Sequence, residues 1–261
     1  MSTRIASLLA ALCLASTAAA CAVEDTTDTT DLGTSEEHLW GDLSTRPSFE
    51  LWKDEAGQFR FQLLAPSQEV VLGSQGYSNR TNALTGLLSV LQNGTSDVSY
   101  KVVTVANGSY VELRAHNHAT IATGPTFATA AEAQASIPDT IKTVGAYQKA
   151  WDTATGARFA IKLDAGGKHY FTLHARNGEI VLRSQRYDAK AGALNGAFSV
   201  ADNGTTAARY QVLQASNGGY YLNLTATNGQ IIATSEVYAS KYNAERARDS
   251  IIALLPVVPL L

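Results

Sequence analysis

The chain is built on an internal duplication, which constrains its fold more than any other feature of the sequence. Residues 49–110 and 159–220 align without a gap at an offset of 110 residues, and about two fifths of the aligned positions are identical. Ordinary composition would match only ~4 such positions by chance. Each copy divides again, because Phe49 and Tyr100 open similar units 51 residues apart, as do Phe159 and Tyr210. A period of this length indicates one supersecondary unit used repeatedly, and here it is used four times.

Each unit opens with a pattern typical of antiparallel strands. Every second residue is apolar and faces one side of a sheet, since side chains alternate between the two faces of a strand. These core-facing positions are Phe61, Leu63, Ala65, Val111, Leu113, Ala115, Phe171, Leu173, Ala175, Leu222, Leu224 and Ala226. Asn-Gly pairs between apolar runs predict two-residue hairpin turns with positive φ at both positions. The pairs are Asn107-Gly108, Asn177-Gly178, Asn217-Gly218 and Asn228-Gly229. Three antiparallel strands per unit are therefore expected.

A helix is expected after each third strand, because the apolar period changes there to that of a helix face. Leu84, Leu87, Leu88 and Leu91 share one such face, and the second copy keeps the pattern. Asn93-Gly94 and Asn203-Gly204 predict helix ends with a left-handed cap. Thr129 and Glu132 form the pattern of a capping box, and Pro138 predicts that the helix after it is kinked or split. Each unit is thus predicted to be β-β-β-α.

The residues resemble the YegP-like family of small uncharacterised bacterial proteins. The resemblance covers residues 46–256 and is strongest in repeats one, three and four. It rests on the order and spacing of Asn177-Gly178-Glu179-Ile180-Val181-Leu182, Ser184, Tyr187, Asn195-Gly196, Ser199-Val200 and Asn203. Repeat one departs from it at Ser67-Gln68 and Thr85, and repeat two at Asn117-His118. The family implies an α+β fold in which two repeats share one antiparallel sheet backed by helices, but it implies no reaction.

Four repeats therefore imply two YegP-like domains of antiparallel β-β-β-α repeats. We expect the first over residues 46–146 and the second over residues 158–256, with a linker at 147–157 and a short tail at 257–261. The apolar stretch 251–261 is too short to span a bilayer, so we expect it to pack on the core at the end of the last helix. At this length and ordinary apolar content, the chain can bury one or two cores.

The N-terminus predicts export. Residues 1–20 carry Arg4, an apolar stretch and small residues before Cys21, as a signal peptide does. The run Ala19-Ala20-Cys21 resembles a bacterial lipobox, while Ala18 to Ala20 also fits ordinary signal cleavage. Lipidation at Cys21 would make the protein a membrane-anchored envelope lipoprotein; without it, the protein would be periplasmic or secreted. Residues 21–45 are rich in Thr, Asp and Glu and predict a disordered tether.

Charge and motifs limit the chemistry. The formal net charge is −3, from 20 basic and 23 acidic residues, which argues against nucleic-acid binding because such proteins carry a basic surface. His116 and His118 lie at a predicted hairpin turn with no further ligand at a supporting spacing, so we expect no metal and no cofactor. An envelope hydrolase with Glu69 and Glu179 as a carboxylate pair is the alternative function, since glycosidases use two carboxylates about 5–10 Å apart.

The expected function is instead non-enzymatic binding or scaffolding in the envelope. If helices cover one sheet face, the other presents aromatic and hydrogen-bonding side chains, which suit a polysaccharide, peptidoglycan or protein partner. Antiparallel sheets also commonly leave one face solvated without any partner, and sheet edges can pair two chains. The candidate binding face consists of Trp52, Arg60, Gln62, Glu112, Arg114, Lys162, Tyr170, His174, Tyr221 and Asn223.

Overall fold

A computed structural model describes residues 46–260 of the chain. The predicted signal peptide, the lipidation site Cys21 and the tether 21–45 lie outside the described residues. In the first half, the strands are β1 (Ser48–Lys53), β2 (Phe59–Leu64), β3 (Val70–Ser74), β4 (Tyr100–Val105), β5 (Gly108–Arg114) and β6 (Thr120–Phe127). Its helices are α1 (Arg80–Asn93), α2 (Ala130–Ala135) and α3 (Ile137–Asp152).

The second half repeats the order of elements with a single helix at its end. Its strands are β7 (Arg158–Leu163), β8 (His169–His174), β9 (Ile180–Arg183), β10 (Tyr210–Gln214), β11 (Tyr220–Thr225) and β12 (Ile231–Thr234). Its helices are α4 (Lys190–Asn203) and α5 (Lys241–Leu254). The predicted β-β-β-α unit is confirmed in all four repeats. We call residues 46–152 the first domain and residues 158–260 the second domain.

Two six-stranded antiparallel sheets form the centre of the fold. The first sheet has the order β1-β2-β3-β6-β5-β4, and the second has the order β10-β11-β12-β9-β8-β7. Two repeats therefore share each sheet, and their third strands meet at its middle. Helices pack on one face only, where Phe61, Leu63, Phe171 and Leu173 are fully buried. The predicted α+β fold with two YegP-like domains is confirmed.

The hairpin turns differ from the predicted two-residue turns with two positive φ angles. Between β8 and β9 the amide of Gly178 donates to the Ala175 carbonyl at 2.9 Å, and only Gly178 has a positive φ, of 88°. Asn177 acts through its side chain, whose Oδ1 accepts from the Glu179 amide at 3.0 Å. Such a turn needs one left-handed residue, since the other positions take ordinary dihedral angles. In repeats one and two that position is held by Gln68 and His118, with φ of 66° and 64°.

A tyrosine after the third strand fixes the helix above the sheet. The chain of Tyr187 returns to pair with His169, and its ring packs beneath α4 at Gly196, as Tyr77 packs at Gly86. A Cβ on Gly196 would lie 2.3 Å from the Tyr187 hydroxyl oxygen, so only glycine lets the helix approach this closely. Burial raises the pKa of Tyr187 above its usual range, because the charged form loses its solvation.

The helix ends partly match the sequence predictions. The capping box of Thr129 and Glu132 is present, and Pro138 stands in the first turn of α3, where it separates α3 from α2. The helices α1 and α4 do end at the predicted Asn-Gly pairs, but Gly94 and Gly204 are right-handed, with φ of −75° in both. The prediction of left-handed caps at these two helix ends is therefore wrong. Glycine is needed there for space, since a Cβ on Gly204 would lie 2.4 Å from a Leu255 methyl carbon.

The two domains contact each other through equivalent helices. Helix α1 packs on α4 around Leu84 and Leu194, which are 110 residues apart in the sequence and both fully buried. The same cluster takes further equivalent pairs from the two copies, namely Leu51 with Ile161 and Leu88 with Phe198. At its margin the Arg80 guanidinium lies 2.9 Å from an Asp202 carboxylate oxygen and 5.2 Å from the Phe198 ring centroid. The contact is thus built from the same positions of both domains, as in a two-fold arrangement.

The predicted linker 147–157 is shorter in the structure. Residues 147–152 complete α3, and Tyr147 is buried with its ring 4.8 Å from that of Phe49. These aromatic side chains supply apolar area to the first core, so the helix continues. At the other end, the predicted packing of the apolar C-terminal stretch is confirmed over residues 251–260, because Ile251, Leu255 and Val258 are buried in the second core. Over residues 46–260, none of the helices has the length and apolarity needed to cross a membrane.

Candidate functional site

The face of each sheet opposite the helices, which we call the outer face, is marked by one row of paired residues. In antiparallel strands, directly opposed residues point to the same side. In the first sheet the row crosses all six strands through Glu50, Gln62, Gly73, Thr123, Glu112 and Lys101. In the second sheet the equivalent row is Ala160, Thr172, Arg183, Thr234, Asn223 and Gln211. Of the predicted binding residues, these rows contain Gln62, Glu112 and Asn223. Two further pairs on the outer faces, Trp52 with Arg60 and Lys162 with Tyr170, occupy equivalent positions of the two sheets.

On the first outer face, the predicted polar residues mainly satisfy one another. The Arg114 guanidinium donates to the Glu112 carboxylate at 2.9 and 2.5 Å. The Gln62 amide donates to Glu50 at 2.6 Å, and Arg60 donates to Asp54 at 2.7 Å, which holds the pKa of Asp54 below its usual range. These contacts leave little unpaired charge on this face.

An exposed tryptophan is the other notable group of the first outer face. Trp52 lies on the edge strand β1 opposite Arg60 and keeps 39% of its surface exposed. A shallow depression beside it is lined by Glu50, Leu51, Trp52 and Gln62. A large ring that remains half in water at a sheet edge offers contact area to a partner at small entropic cost.

The second outer face carries an aromatic ring between two cations. Tyr170 stands opposite Lys162, and its ring centroid lies 4.1 Å from the Arg186 guanidinium carbon and 5.6 Å from that of Arg183. Arg186 is also held by Asp164 at 2.6 Å. Sequence reasoning missed Arg183 and Arg186. The substitution of Gly73 by Arg183 between the aligned copies was the signal that could have found the first of them.

Two predicted members of the face are buried. His174 is 5% exposed and Asn223 is 7% exposed, so the expectation that both present groups to a partner is wrong. His174 Nδ1 donates to the Gly178 carbonyl at 2.8 Å, which leaves Nε2 to accept from the Thr172 hydroxyl at 2.9 Å. The Thr234 hydroxyl donates to the Asn223 side chain at 2.8 Å. Both ring nitrogens of His174 and the side-chain oxygen of Asn223 are thus occupied within the protein.

Burial determines the protonation of His174. It lowers the pKa of His174 below its usual range, because the charged imidazole would be desolvated. The hydrogen bond to Gly178 opposes this effect, while the positive charges of Arg158 and Lys162 add to it. His174 is therefore neutral in the folded protein at pH 7, and the positive charges of Arg158 and Lys162 lie near this part of the sheet.

Tyr221, two residues before Asn223 on the same strand, is partly exposed.

A cleft opens at the middle of the second sheet, where β9 and β12 share a single registered pair, Arg183 with Thr234. It has a volume of about 600 Å³, within the range of about 300–1,000 Å³ typical of ligand sites. Its walls come from equivalent positions of repeats three and four, and they are Ile180, Leu182, Arg183, Ser184, Gln185, Ile231, Ile232, Ala233, Thr234, Ser235 and Glu236. In the first sheet two pairs join β3 and β6, and the position of Ser235 is taken by Gly124.

The serines of the cleft are already engaged. Ser184 Oγ accepts the amide of Phe171 at 2.9 Å and donates to the Gln185 carbonyl at 2.7 Å. Ser235 Oγ does the same with the Leu222 amide and the Glu236 carbonyl. Both hydroxyls replace a strand partner where the third strand leaves the sheet. The charged groups that remain for a ligand are those of Arg183 and Glu236, since the Gln185 side chain hydrogen-bonds Tyr187.

The structure does not bring together the residues considered for hydrolysis or for metal binding. Glu69 and Glu179 are exposed at hairpin turns of different sheets, and neither lines the central cleft. His116 and His118 lie exposed in the turn between β5 and β6. Over residues 46–260 no group of three or more His, Cys, Asp or Glu side chains is arranged to hold a metal ion.

Comparisons with known proteins place the repeats in a family. The sequence model of the family described as "Domain of unknown function (DUF1508)" matches residues 54–100, 164–211 and 215–256, which belong to repeats one, three and four. A UPF0339 protein of Pseudomonas aeruginosa is 42% identical over 100 residues, covering 38% of this chain and 91% of that protein. UPF0339 protein YegP of Shigella flexneri is 39% identical over 95 residues, covering 36% of this chain and 86% of that protein.

Solved structures of similar proteins exist as well. The solution NMR structure of yegP from E. coli, titled a protein of unknown function, has 34% identity and a TM-score of 0.38, covering 41% of this chain and 93% of that one. The solution NMR structure of a UPF0339 protein from Shewanella oneidensis has 33% identity and a TM-score of 0.37, covering 40% and 90%.

Proposed function

The chain belongs to the DUF1508 family, whose function is unknown, and from that premise we propose that it is a non-enzymatic, exported protein that binds an envelope ligand. The ligand, a polysaccharide, peptidoglycan or protein, lies across the outer faces of the two sheets. The role is one of binding or scaffolding, and the family description, a domain of unknown function, names no activity.

One observation carries the proposal, which is that helices cover only one face of each sheet. The outer faces carry no helix, and Trp52 and Tyr170 stand on them among charged and hydrogen-bonding groups. Aromatic rings next to arginines are the composition typical of the centres of binding surfaces.

The hydrolase alternative has no observation in its favour. Two catalytic carboxylates must flank one bond in a cleft, whereas Glu69 and Glu179 are exposed at turns of separate sheets. On the outer faces, the carboxylates of Glu50, Glu112 and Asp54 serve as acceptors for neighbouring side chains. We therefore propose binding without chemistry.

Export and anchoring form a separate part of the proposal. We propose that the protein is cleaved before Cys21 and lipidated there, so that residues 21–45 connect an envelope membrane to the folded domains. Mass spectrometry of the mature N-terminus tests this directly. A diacylglycerol-modified Cys21 supports the anchor, whereas an unmodified Cys21 or another N-terminus contradicts it and leaves a periplasmic or secreted protein.

Affinity capture from envelope fractions tests the binding role. The full mature protein is immobilised, and capture by the Tyr170→Ala variant is compared with capture by Tyr242→Ala. Tyr242 is the matched control because it also lies near an arginine, with its centroid 5.9 Å from Arg246, but on helix α5. We expect the first change to weaken capture of a component and the second to leave it unchanged. Equal capture by both variants would remove Tyr170 from the binding face, and the same comparison is made for Trp52→Ala.

A further inference from the structure

The two outer faces differ in charge at equivalent positions. The row across the first sheet contains two acids, Glu50 and Glu112, and one base, Lys101, whereas the row across the second contains Arg183 and no acid. Duplication began with identical copies, so these differences arose after it. They identify positions where the two outer faces no longer need side chains of the same charge.

Compensation of charge differs in the same way. On the first outer face, Arg60 is paired with Asp54 and Arg114 with Glu112. On the second, Arg158, Lys162 and Arg183 form no ion pair within residues 46–260, and Arg158 and Lys162 both stand opposite outer-face residues of β8. Three cations without a carboxylate partner on one face generate a positive potential that attracts anions.

We infer that the outer face of the second sheet is the ligand face, and that it binds a carboxylate-bearing glycan, peptidoglycan, through Lys162, Tyr170 and Arg183. This inference rests on the proposed function and names its ligand. The Tyr170 ring holds the guanidinium groups of Arg183 and Arg186 over it, and the cations of this face match the carboxylates of the glycan. Peptidoglycan combines sugar rings with carboxylates and is a polymer that an exported protein reaches.

The central cleft extends the same site. Arg183 belongs both to the outer row and to the walls of the cleft, and the cleft adds the Glu236 carboxylate. The cleft gains apolar area from Ile180, Ile231 and Ile232. The hydroxyls of Ser184 and Ser235 are engaged in hydrogen bonds within the protein. A glycan lying across Tyr170 therefore places acetamido or peptide groups where the cleft offers hydrogen bonds and an apolar wall.

Cosedimentation with purified peptidoglycan sacculi tests the inference on the full mature protein. Lys162→Glu is compared with Lys101→Glu, a matched control, because both lysines are exposed on the outer side of an edge strand, one in each sheet. We expect Lys162→Glu to weaken binding about threefold to tenfold at low ionic strength, and Lys101→Glu to leave it unchanged. Arg183→Ala, also exposed, is the second variant and is expected to weaken binding to a similar extent.

The outcomes separate this inference from the proposed function. If the wild-type protein fails to sediment with sacculi but captures another envelope component, the ligand named here is wrong and the binding role stands. If it fails in both assays, the binding role is wrong as well. Equal losses in Lys101→Glu and Lys162→Glu would overturn the assignment to the second sheet. Binding to vesicles of anionic phospholipid with the same loss in Lys162→Glu, and none to sacculi, would instead identify a lipid surface.

Discussion

The Tyr187 hydroxyl oxygen occupies the space that a side chain on Gly196 would need, since a Cβ built on Gly196 would lie 2.3 Å from it. The first domain repeats the relationship between Tyr77 and Gly86 with the same distance. Counted from the helix N-caps, the equivalent positions hold Phe127 and Ser136 in repeat two, which has neither partner, whereas repeat four keeps Tyr238 but has Ala247 in place of the glycine. In repeats one and three, the spacing of nine residues between tyrosine and glycine thus reflects one steric contact.

Substitution of Gly196 by Ala is expected to lower the free energy of unfolding by about 1–3 kcal/mol, because the added methyl group forces the ring or the helix to move. Gly192→Ala, in the same helix, is the control, since its Cβ would meet the Tyr187 ring at an ordinary 3.4 Å. That change is expected to be neutral or to stabilise by up to about 1 kcal/mol through helix propensity. Urea denaturation measures both. Adding Tyr187→Phe to Gly196→Ala should restore part of the loss, and no recovery would contradict the contact.

Glycine in place of Gln68 is expected to stabilise the protein by about 0.5–1 kcal/mol. Gln68 has a φ of 66° at the position that Gly178 holds in repeat three, and a left-handed conformation is unfavourable for residues with a Cβ. The reverse change, Gly178→Gln, should destabilise by a similar amount. Thermal unfolding of the two variants measures both changes in stability. If both variants were stabilised, or both destabilised, the two turns would not be equivalent.

The stability of the protein is expected to fall as the pH falls below about 6.5 through the titration of His174. Because burial lowers the pKa of His174 in the folded state, the unfolded state binds more protons below the ordinary value of about 6.5. The contribution is therefore present above the unfolded pKa and is lost as the pH falls through the folded one. Urea denaturation between about pH 5 and about pH 8 measures it, since each bound proton contributes to the slope.

Replacement of His174 by Leu, the residue at the equivalent position 64 of the first copy, is expected to remove this part of the pH dependence. His116→Asn, in an exposed turn, is the control and should leave the His174 contribution in place. An unchanged pH profile in His174→Leu would show that other groups are responsible.

The contact between α1 and α4 is expected to couple the unfolding of the two domains. Leu84→Ala removes a fully buried side chain at this contact and should cost about 2–5 kcal/mol. It should also broaden or split the calorimetric transition, since each domain loses the partner that stabilises it. Leu72→Ala, buried in the first core away from α4, should destabilise by a similar amount. Leu72→Ala should leave the two domains unfolding in one calorimetric transition. If the transition split in both variants, the contact between α1 and α4 would not be what couples the domains.

Periodicity in the sequence was sufficient to predict elements and faces. The alternation at Phe61 and Leu63 identified the core side of β2, and Thr129, Glu132 and Pro138 located the helix boundaries, because these signals act over a few residues. The pairing of β3 with β6 follows from the family resemblance and not from any local pattern, since those strands are far apart in the chain.

Details that depend on neighbouring segments were not accessible in this way. His174 lies on the outer face as its alternation implies, yet the hairpin carbonyl of Gly178 covers it, and no period in the sequence records what lies above a strand. Gly94 and Gly204 were predicted from helix-cap statistics, whereas the structure uses them for close contact with Val144 and Leu255. The cation pair around Tyr170 likewise requires β8 and β9 to be adjacent.

The contact of Leu84 with Leu194 has a consequence for how this surface can evolve. A homodimer assembled through the same helix would carry two copies of one gene product, so any change to one sheet face would appear on both. With both halves in one polypeptide, the symmetric contact can persist while Gly73 and Arg183 diverge. Fusion thus separates the residues that hold the halves together from those that are free to specialise.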